Sequence, residues 1–328
     1  MKTILEQLFT GLELSEEQAY ESFLRIMSGS LSDAEISAFL TAYNMRAVSV
    51  TEFRGFRRAL LDKCVAVDFS DFDTIDVVGT GGDGKNTFNI STTSCFVVAG
   101  AGYQVAKHGN YGLSSVSGAS NVFEHYGYQF TNDADDLRRK LDKAGICFLH
   151  APLFHPAMKH VAAVRKALRV RTLFNFMGPV INPSRPNRQL IGCNGYPIMK
   201  LYNELLKDEP LQFFTVNATD GYDEVSLTDE TLIGTGNHLE VLQPSDFGLP
   251  TLQPESLSSG ESVDDAAKIF LNVLKNECTE AQRSVVLANA GLAIQLYKPT
   301  QSLVDCVAEA RESLESGRAF KTFEQSMK

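Results

Sequence analysis

One stretch restricts what this chain can become. A β-branched run, Thr74 to Val78, has the length and composition of a buried strand. It stops at Gly79-Thr80-Gly81-Gly82-Asp83-Gly84. Glycines directly after a strand let backbone N–H groups approach an anion with no Cβ in the way. Thr87-Phe88-Asn89-Ile90-Ser91-Thr92 then leads into an apolar helix expected over Thr93 to Ala101, with Ser91 or Thr92 as its N-cap. The first turn of such a helix suits phosphate. A second strand is expected over Gln104 to Ala106, delivering Lys107-His108-Gly109-Asn110 as a basic loop. Strand, glycine loop, helix, strand and basic loop make one βαβ unit. Its ligand groups lie at the carboxyl ends of the strands, where open α/β sheets bind ligands.

Two familiar patterns nearly fit this loop. Gly79-x-Gly81-x-x-Gly84 matches the dinucleotide fingerprint, but that motif needs an acidic residue after the next strand, where this chain has Lys107 and His108. Gly79-x-x-x-x-Gly84-Lys85 falls one residue short of a P-loop, because Asn86 stands where Ser or Thr should hold Mg²⁺. Asp83 places a negative charge inside a phosphate loop, which makes sense where a divalent metal binds as well.

The 328 residues, 44% hydrophobic, suffice for one large or two smaller domains without staples. A net charge of −10 with no Lys/Arg block argues against a nucleic-acid surface. It leaves room for a phosphorylated ligand, which needs only a few local cations and a metal. The six cysteines are scattered with no CxxC pair, so they read as buried reduced thiols of a cytoplasmic protein. The start lacks a signal-peptide pattern, and no stretch reaches the roughly 20 apolar residues of a membrane span.

Residues 1 to about 70 read as helices only. Ser15-x-x-Gln18 and Ser32-x-x-Glu35 are capping boxes. Phe23, Met27, Ile36, Phe39, Leu40, Phe53, Phe56 and Leu60 follow at helical spacing as packing core. After Asn110, Tyr111 to Ser120 is a Gly/Ser loop placed to close over a ligand. A strand is expected over Ile146 to His150, and a helix from Pro156 carries Arg165, with Arg169 on the same face at i,i+4. That face is either solvated or a carboxylate site, since guanidinium binds carboxylate bidentately. Phe174 to Pro186 reads as a hinge. A strand over Leu211 to Val216 ends in Asp220, Asp223 and Glu224, which form either a solvated turn or an oxygen set suited to Mg²⁺. Glu230 to Gln243 reads as an antiparallel pair, and the last amphipathic helix is expected to end near Arg318.

Several motifs together resemble the anthranilate phosphoribosyltransferases of tryptophan biosynthesis. They are Gly79-Thr80-Gly81-Gly82-Asp83, Thr87 to Thr92, Lys107-His108-Gly109-Asn110, His155 to Lys159, Phe174-Asn175, Gly178-Pro179 with Asn182-Pro183, and Asp223-Glu224. The resemblance implies an α/β fold: a small all-helical domain over 1–72, with a returning segment near 166–186, and a large domain over 73–165 and 187–328 with a mostly parallel sheet. It implies phosphoribosyl diphosphate binding by Gly79, Gly82, Asp83, Thr87, Asn89, Ile90, Ser91, Thr92, Lys107, His108, Gly109, Asn110, Ser114, Ser115 and Ala119. It implies anthranilate binding by Gly79, Asn110 and Arg165. It implies Mg²⁺, about two ions per subunit, at Ser91, Asp223 and Glu224. A homodimer through the helical domain is implied too, with neither nucleic acid nor membrane as partner.

The implied reaction moves the phosphoribosyl group onto the anthranilate amine and releases pyrophosphate, inverting the anomeric carbon. The amine is neutral at pH 7, so no general base is assigned; His108 is the candidate for a proton role. Two places depart from the family. Tyr111 stands where Arg is usual, and Gly118-Ala119-Ser120-Asn121 replaces Gly-Ser-Ala-Asp. The hydroxyl expected at 119 is missing, and Ser120 is the nearest replacement. Pyrimidine-nucleoside phosphorylases and non-enzymatic nucleic-acid-binding relatives share the architecture. Arg165, the Asp223-Glu224 pair and the net charge of −10 favour the transferase.

Overall fold

The computed structural model describes residues 1–112 and 115–328. They form two compact units, Met1–Val67 with Ala151–Pro183 and Asp68–His150 with Ser184–Lys328. Helices α1 (Lys2–Phe9), α2 (Glu16–Met27), α3 (Asp33–Met45) and α4 (Val50–Asp62) precede strand β1 (Thr74–Gly79). Then follow α5 (Ile90–Gly100), β2 (Gln104–Gly109), α6 (Ala119–His125), α7 (Ala134–Ala144) and β3 (Ile146–His150). The chain continues through α8 (Ala151–Phe154), α9 (Lys159–Leu168), β4 (Arg188–Gly192), α10 (Tyr196–Leu206) and β5 (Gln212–Ala218). The hairpin β6 (Thr231–Thr235) and β7 (His238–Leu242) leads to α11 (Val263–Leu274), α12 (Glu280–Gln295), α13 (Leu303–Glu315) and α14 (Arg318–Ser326).

In the helical unit both expected capping boxes form, and Ser49 with Glu52 makes a third at the start of α4. Each serine hydroxyl accepts a first-turn N–H that otherwise has no partner, worth about 1 kcal/mol. The aromatic stripes meet in one core, where Phe23 stacks on Phe56 at 4.1 Å and on Phe174 at 5.1 Å. Phe174 belongs to the returning segment, which is therefore part of this core. That segment runs from Ala151 to Pro183 rather than over 166–186. It starts earlier because Phe154, Val161 and Val164 are already buried here. Helix α9 ends at Leu168, and Arg169 turns left-handed at φ 54°. Arg165 and Arg169 therefore do not share a helical face.

The α/β unit is built on a seven-stranded sheet in the order β3-β2-β1-β4-β5-β6-β7. The first five strands are parallel, and the β6–β7 hairpin adds an antiparallel edge. Helix α5 is apolar on every side and is buried except at Ser91, as a helix inside a core must be. It packs beneath α12, whose Val285 to Ile294 are likewise buried. From β1 the chain winds through β2 to β3, then returns to the other side of β1 as β4. The order reverses between β1 and β4, and such a switch point opens a crevice at the carboxyl ends of the strands.

Three further expectations need correction. Helix α5 starts at Ile90 rather than Thr93. Strand β2 runs on to Gly109, because Lys107, His108 and Gly109 all pair with β3. The chain does not finish its helices near Arg318: Gly317, at φ 77°, breaks α13 from a further helix, α14. The six cysteines are free; four are buried, while Cys64 and Cys278 are only partly so. Among the described residues no helix is long and apolar enough to cross a membrane.

Candidate active site

The switch-point crevice is lined first by glycine. Gly79 ends β1 beside Gly192, which ends β4. A Cβ on Gly192 would lie 1.6 Å from the Asp223 carbonyl oxygen, and one on Gly79 would lie 2.5 Å from Asp223 Oδ2. Both positions exclude side chains because the 223 loop crosses directly above them. The glycine loop is fastened to its surroundings. The Thr80 N–H donates to the Gly192 carbonyl at 2.9 Å, and the Gly81 N–H donates to Asp223 Oδ2 at 2.6 Å. Asn194 donates its own N–H to the Thr80 hydroxyl and its side-chain amide to the Gly81 carbonyl. Two of the loop's five N–H groups between Thr80 and Gly84 are thus already engaged, and those of Gly82, Asp83 and Gly84 find no partner among the described residues.

The start of α5 carries the second half of the site. Asn89 has φ −70° and ψ 64°, an inverse γ-turn closed by the Ile90 N–H on the Phe88 carbonyl at 2.6 Å. Asn89 is therefore the N-cap residue, in place of Ser91 or Thr92. The Ser91 N–H donates instead to Glu224 Oε1 at 2.9 Å. A carboxylate is the anion at this helix N-terminus, where the positive end of the helix favours it. Of the first turn, the Thr92 N–H remains without a described partner. Ser91, Asp223 and Glu224 line one cavity of about 10 Å³ together with Gly192 and Asn289, which is room for about one water-sized sphere.

Burial raises the pKa of both Asp223 and Glu224; Asp83 adds to the rise on Asp223, and Asp223 and Asp83 add to it on Glu224. Three carboxyl groups therefore crowd one place and resist being ionised together. A divalent cation relieves that repulsion, and hard carboxylate and hydroxyl oxygens are the donors that Mg²⁺ takes. No three acidic, histidine or cysteine side chains among the described residues are grouped as a complete metal site.

Lys107 and His108 sit within β2 and not in a loop, with 2% and 3% of their surface exposed. The Lys107 ammonium donates to the Val77 carbonyl at 2.7 Å. The His108 N–H donates to Asp76 Oδ1 at 3.2 Å. A Cβ on Gly109 would meet the Phe148 ring at 2.9 Å. Asn110 is exposed beyond the strand. In the following loop, Asn86 Oδ1 accepts the Val116 N–H and the buried Asn89 amide donates to the Ser117 carbonyl. Ser115 is exposed and Ala119 half-buried, while Ser114 lies outside the described residues. Ser120 does not replace the missing hydroxyl at 119: it is fully buried, with Oγ 2.9 Å from His150 Nδ1. Thr87 forms a lone bridge to Ser258.

Arg165 belongs to the helical unit, unlike the other residues of the expected site. Its guanidinium lies 5.6 Å from the Phe174 ring centre, and burial lowers its pKa. Sequence reasoning missed Asp76, Gly192, Asn194 and Asn289, and read Asn86 only as a departure from the P-loop pattern. Asp76 alone carried a signal, as a carboxylate inside a β-branched run; the others act through contacts that only the fold creates. The larger cavity of about 410 Å³, lined by Lys207, Phe214, Thr235, Asn237 and Pro299 among others, contains none of the expected site residues.

A helical bundle followed by an α/β unit is the two-part architecture that glycosyl transferase family models describe, and both parts are matched in this chain. The model of the glycosyl transferase family a/b domain matches residues 71–320, and that of the family's helical bundle domain matches residues 2–64. Anthranilate phosphoribosyltransferase from Cytophaga hutchinsonii is 51% identical over 328 residues, covering 100% of both chains. The enzyme of that name from Phocaeicola vulgatus is 50% identical, covering 99% of this chain and 98% of its own. The crystal structure of anthranilate phosphoribosyltransferase from Thermus thermophilus superposes with a TM-score of 0.92 at 32% identity, over 98% of each chain. The Saccharomyces cerevisiae enzyme in complex with PRPP and Mg gives 0.92 at 26% identity, over 98% of this chain and 95% of that one. This chain belongs to the anthranilate phosphoribosyltransferase family.

Proposed function

We propose that this chain transfers the phosphoribosyl group of 5-phosphoribosyl 1-diphosphate to the amine of anthranilate, giving N-(5-phosphoribosyl)anthranilate and pyrophosphate. The observation that carries the reading is the pairing of two distant loops. Asp223 and Glu224 are held against Gly81 and Ser91, at the one crevice where the sheet order reverses. Relatives of full length and the same fold bear the matching name.

The transfer separates charge, with positive charge growing on the ribosyl ring and negative charge on pyrophosphate. Groups that meet the leaving group before that moment lower the barrier most. The N–H groups of Gly82, Asp83, Gly84 and Thr92 are the donors left for it. Gly79 contributes by lacking a side chain. Asn89, Ile90 and Thr87 shape the turn, while Lys107, His108, Gly109 and Asn110 form the neighbouring strand end with Ser115 and Ala119 beyond it. Ser91, Asp223 and Glu224 would hold Mg²⁺, which neutralises pyrophosphate charge when bound. The number of ions, about two per subunit, belongs to this proposal. Arg165 is the carboxylate partner for anthranilate; burial in place of solvent strengthens such a pair. His108 takes any proton role. Exposed Phe9, Leu12 and Met45 support a homodimer through the helical unit.

The test is the loss of anthranilate fluorescence on adding phosphoribosyl diphosphate, with and without Mg²⁺. Loss that requires Mg²⁺ and matches pyrophosphate release is expected. Bound phosphoribosyl diphosphate with anthranilate untouched would overturn the acceptor assignment.

A further inference from the structure

We propose that His150, the last residue of β3, is a positioning residue that acts through Ser120 to hold Asn110; this rests on the phosphoribosyl-transfer reading above. All five residues of β3 are buried, and the first four are apolar or cysteine. An imidazole in such surroundings is costly unless its nitrogens are bonded. His150 Nδ1 lies 2.9 Å from the hydroxyl of the fully buried Ser120. The Ser120 N–H donates to the Asn110 carbonyl at 3.1 Å, and the Tyr111 N–H donates to Asn110 Oδ1 at 2.8 Å. Asn110 directly follows Gly109, which pairs in register with His150.

The imidazole itself is fixed. Phe130 stacks on it at 4.2 Å and 15°, and Tyr111 meets it edge-on at 5.2 Å and 87°. The Tyr111 hydroxyl donates to Glu124 Oε1 at 3.4 Å, one turn along α6 from Ser120. Asn121, next to Ser120, accepts the N–H of Gly112 at 3.0 Å and that of Gly118 at 2.9 Å, closing the neck of the loop between them. The chain from Asn110 to Gly112 is thus tied to α6. Helix α6 meets β3 at the apolar Phe123–Phe148 ring pair, 4.4 Å apart, and at a polar link through the His150 imidazole. With its Oδ1 engaged, the Asn110 amide keeps N–H donors for a substrate oxygen. Burial lowers the His150 pKa, so the link is neutral near pH 7 and adds no charge beside a phosphate site.

Two variants separate the ring from its polar atom. His150→Phe keeps a ring against Phe130 and removes the link to Ser120. His150→Asn keeps a polar atom near the Nδ1 position and loses the ring. The measurements are kcat and KM in the anthranilate fluorescence assay, and amide hydrogen exchange at Ser120 and Tyr111. His150→Phe is expected to lower kcat/KM for anthranilate about tenfold and to speed exchange at both amides, while His150→Asn stays within about threefold of wild type. Added to Asn110→Ala, His150→Phe is expected to cost nothing more. Wild-type kinetics and exchange in His150→Phe, equal losses in both variants, or losses that add fully to Asn110→Ala would overturn the proposal. Should His150→Phe fail to fold, Ser120→Ala carries the test: faster exchange at Tyr111 supports the link, and wild-type exchange refutes it. A wild-type protein that does not consume anthranilate would remove the phosphoribosyl-transfer reading, and the exchange data would still decide the positioning.

Discussion

A single methyl group at position 79 tests whether the Asp223 carboxylate must stay where it is. In Gly79→Ala the new Cβ would lie 2.5 Å from Asp223 Oδ2 and 3.2 Å from its Cγ, where real contacts are essentially never under 3.0 Å. The carboxylate must therefore retreat by about 0.5 Å or more. That movement strains the 2.6 Å bond it accepts from the Gly81 N–H. A hydrogen bond to a charged group contributes roughly 1.5–3 kcal/mol, and overpacking costs roughly 1–3 kcal/mol. The group that moves is the end of a side chain, so the fold survives and the unfolding temperature drops only a few degrees. If Asp223 holds Mg²⁺, the loss falls on the metal: the Mg²⁺ concentration for half-maximal turnover should rise roughly tenfold to a hundredfold. The assay is a Mg²⁺ titration of anthranilate consumption beside a thermal melt. Gly192→Ala is the contrast, because its Cβ would meet the Asp223 backbone oxygen at 1.6 Å and no side-chain shift can relieve that. It should fail to fold or melt far lower. A Gly79→Ala protein with wild-type Mg²⁺ dependence and kcat would refute the reasoning.

Three further outcomes are expected. Combining Asp223→Asn with Glu224→Gln should abolish Mg²⁺-dependent turnover while leaving the melt at or above wild type, by roughly 0.5–2 kcal/mol, because neutral amides relieve burial and repulsion that raise both carboxyl pKa values. A clearly lower melt would show that the pair stabilises the fold. Arg165→Ala should raise the KM for anthranilate far more than that for phosphoribosyl diphosphate, and equal effects would make Arg165 structural. Burial lowers the His155 pKa from 6.5 to about 4. The unfolded chain therefore binds a proton between those values while the folded one does not, so stability present above pH 6.5 is lost as pH falls toward 4, by about 3 kcal/mol. Denaturant midpoints measured at pH 7 and pH 4.5 should fall less in His155→Gln than in wild type, and parallel falls would contradict this.

What could be read from the sequence was whatever depends on near neighbours. Capping boxes at Ser15 and Ser32 are three-residue patterns, and both form. The β-branched run at Thr74 and the glycines after it gave β1 and the loop to within a residue. Strand β3 was found at its full length. The misses share a cause, which is tertiary contact overriding local pattern. Ser91 looked like an N-cap, but its N–H is claimed by Glu224, 133 positions away. Lys107 looked like a loop cation, but pairing with β3 draws it into the sheet and its ammonium to Val77. Ser120 looked available to a ligand, but it is turned to His150. Gly192 carried no signal at all, since only the crossing of the 223 loop forbids a side chain there.

Three carboxyl groups beside a glycine loop look wrong for a polyanion site, and the hydrogen bonds resolve the difficulty. Gly81 and Ser91 are the donors a sequence reader would give to phosphate, yet both serve the protein's own Asp223 and Glu224. The chain thus commits two of its best anion-binding positions to fixing carboxylates in a place where burial already disfavours their charge. Such an arrangement suits an anion that arrives with a cation. On the proposed reading the carboxylates meet the cation, and the N–H groups still open at Gly82, Asp83, Gly84 and Thr92 meet phosphate oxygens. Lys107 cannot take over the cation's part. A unit charge about 4 Å from another is worth roughly 4 kcal/mol at an effective dielectric near 20, far short of neutralising a diphosphate, and its ammonium already serves Val77. The acidic loop at 223 and the glycine loop at 79 are therefore one device, and neither should bind the diphosphate tightly without the other.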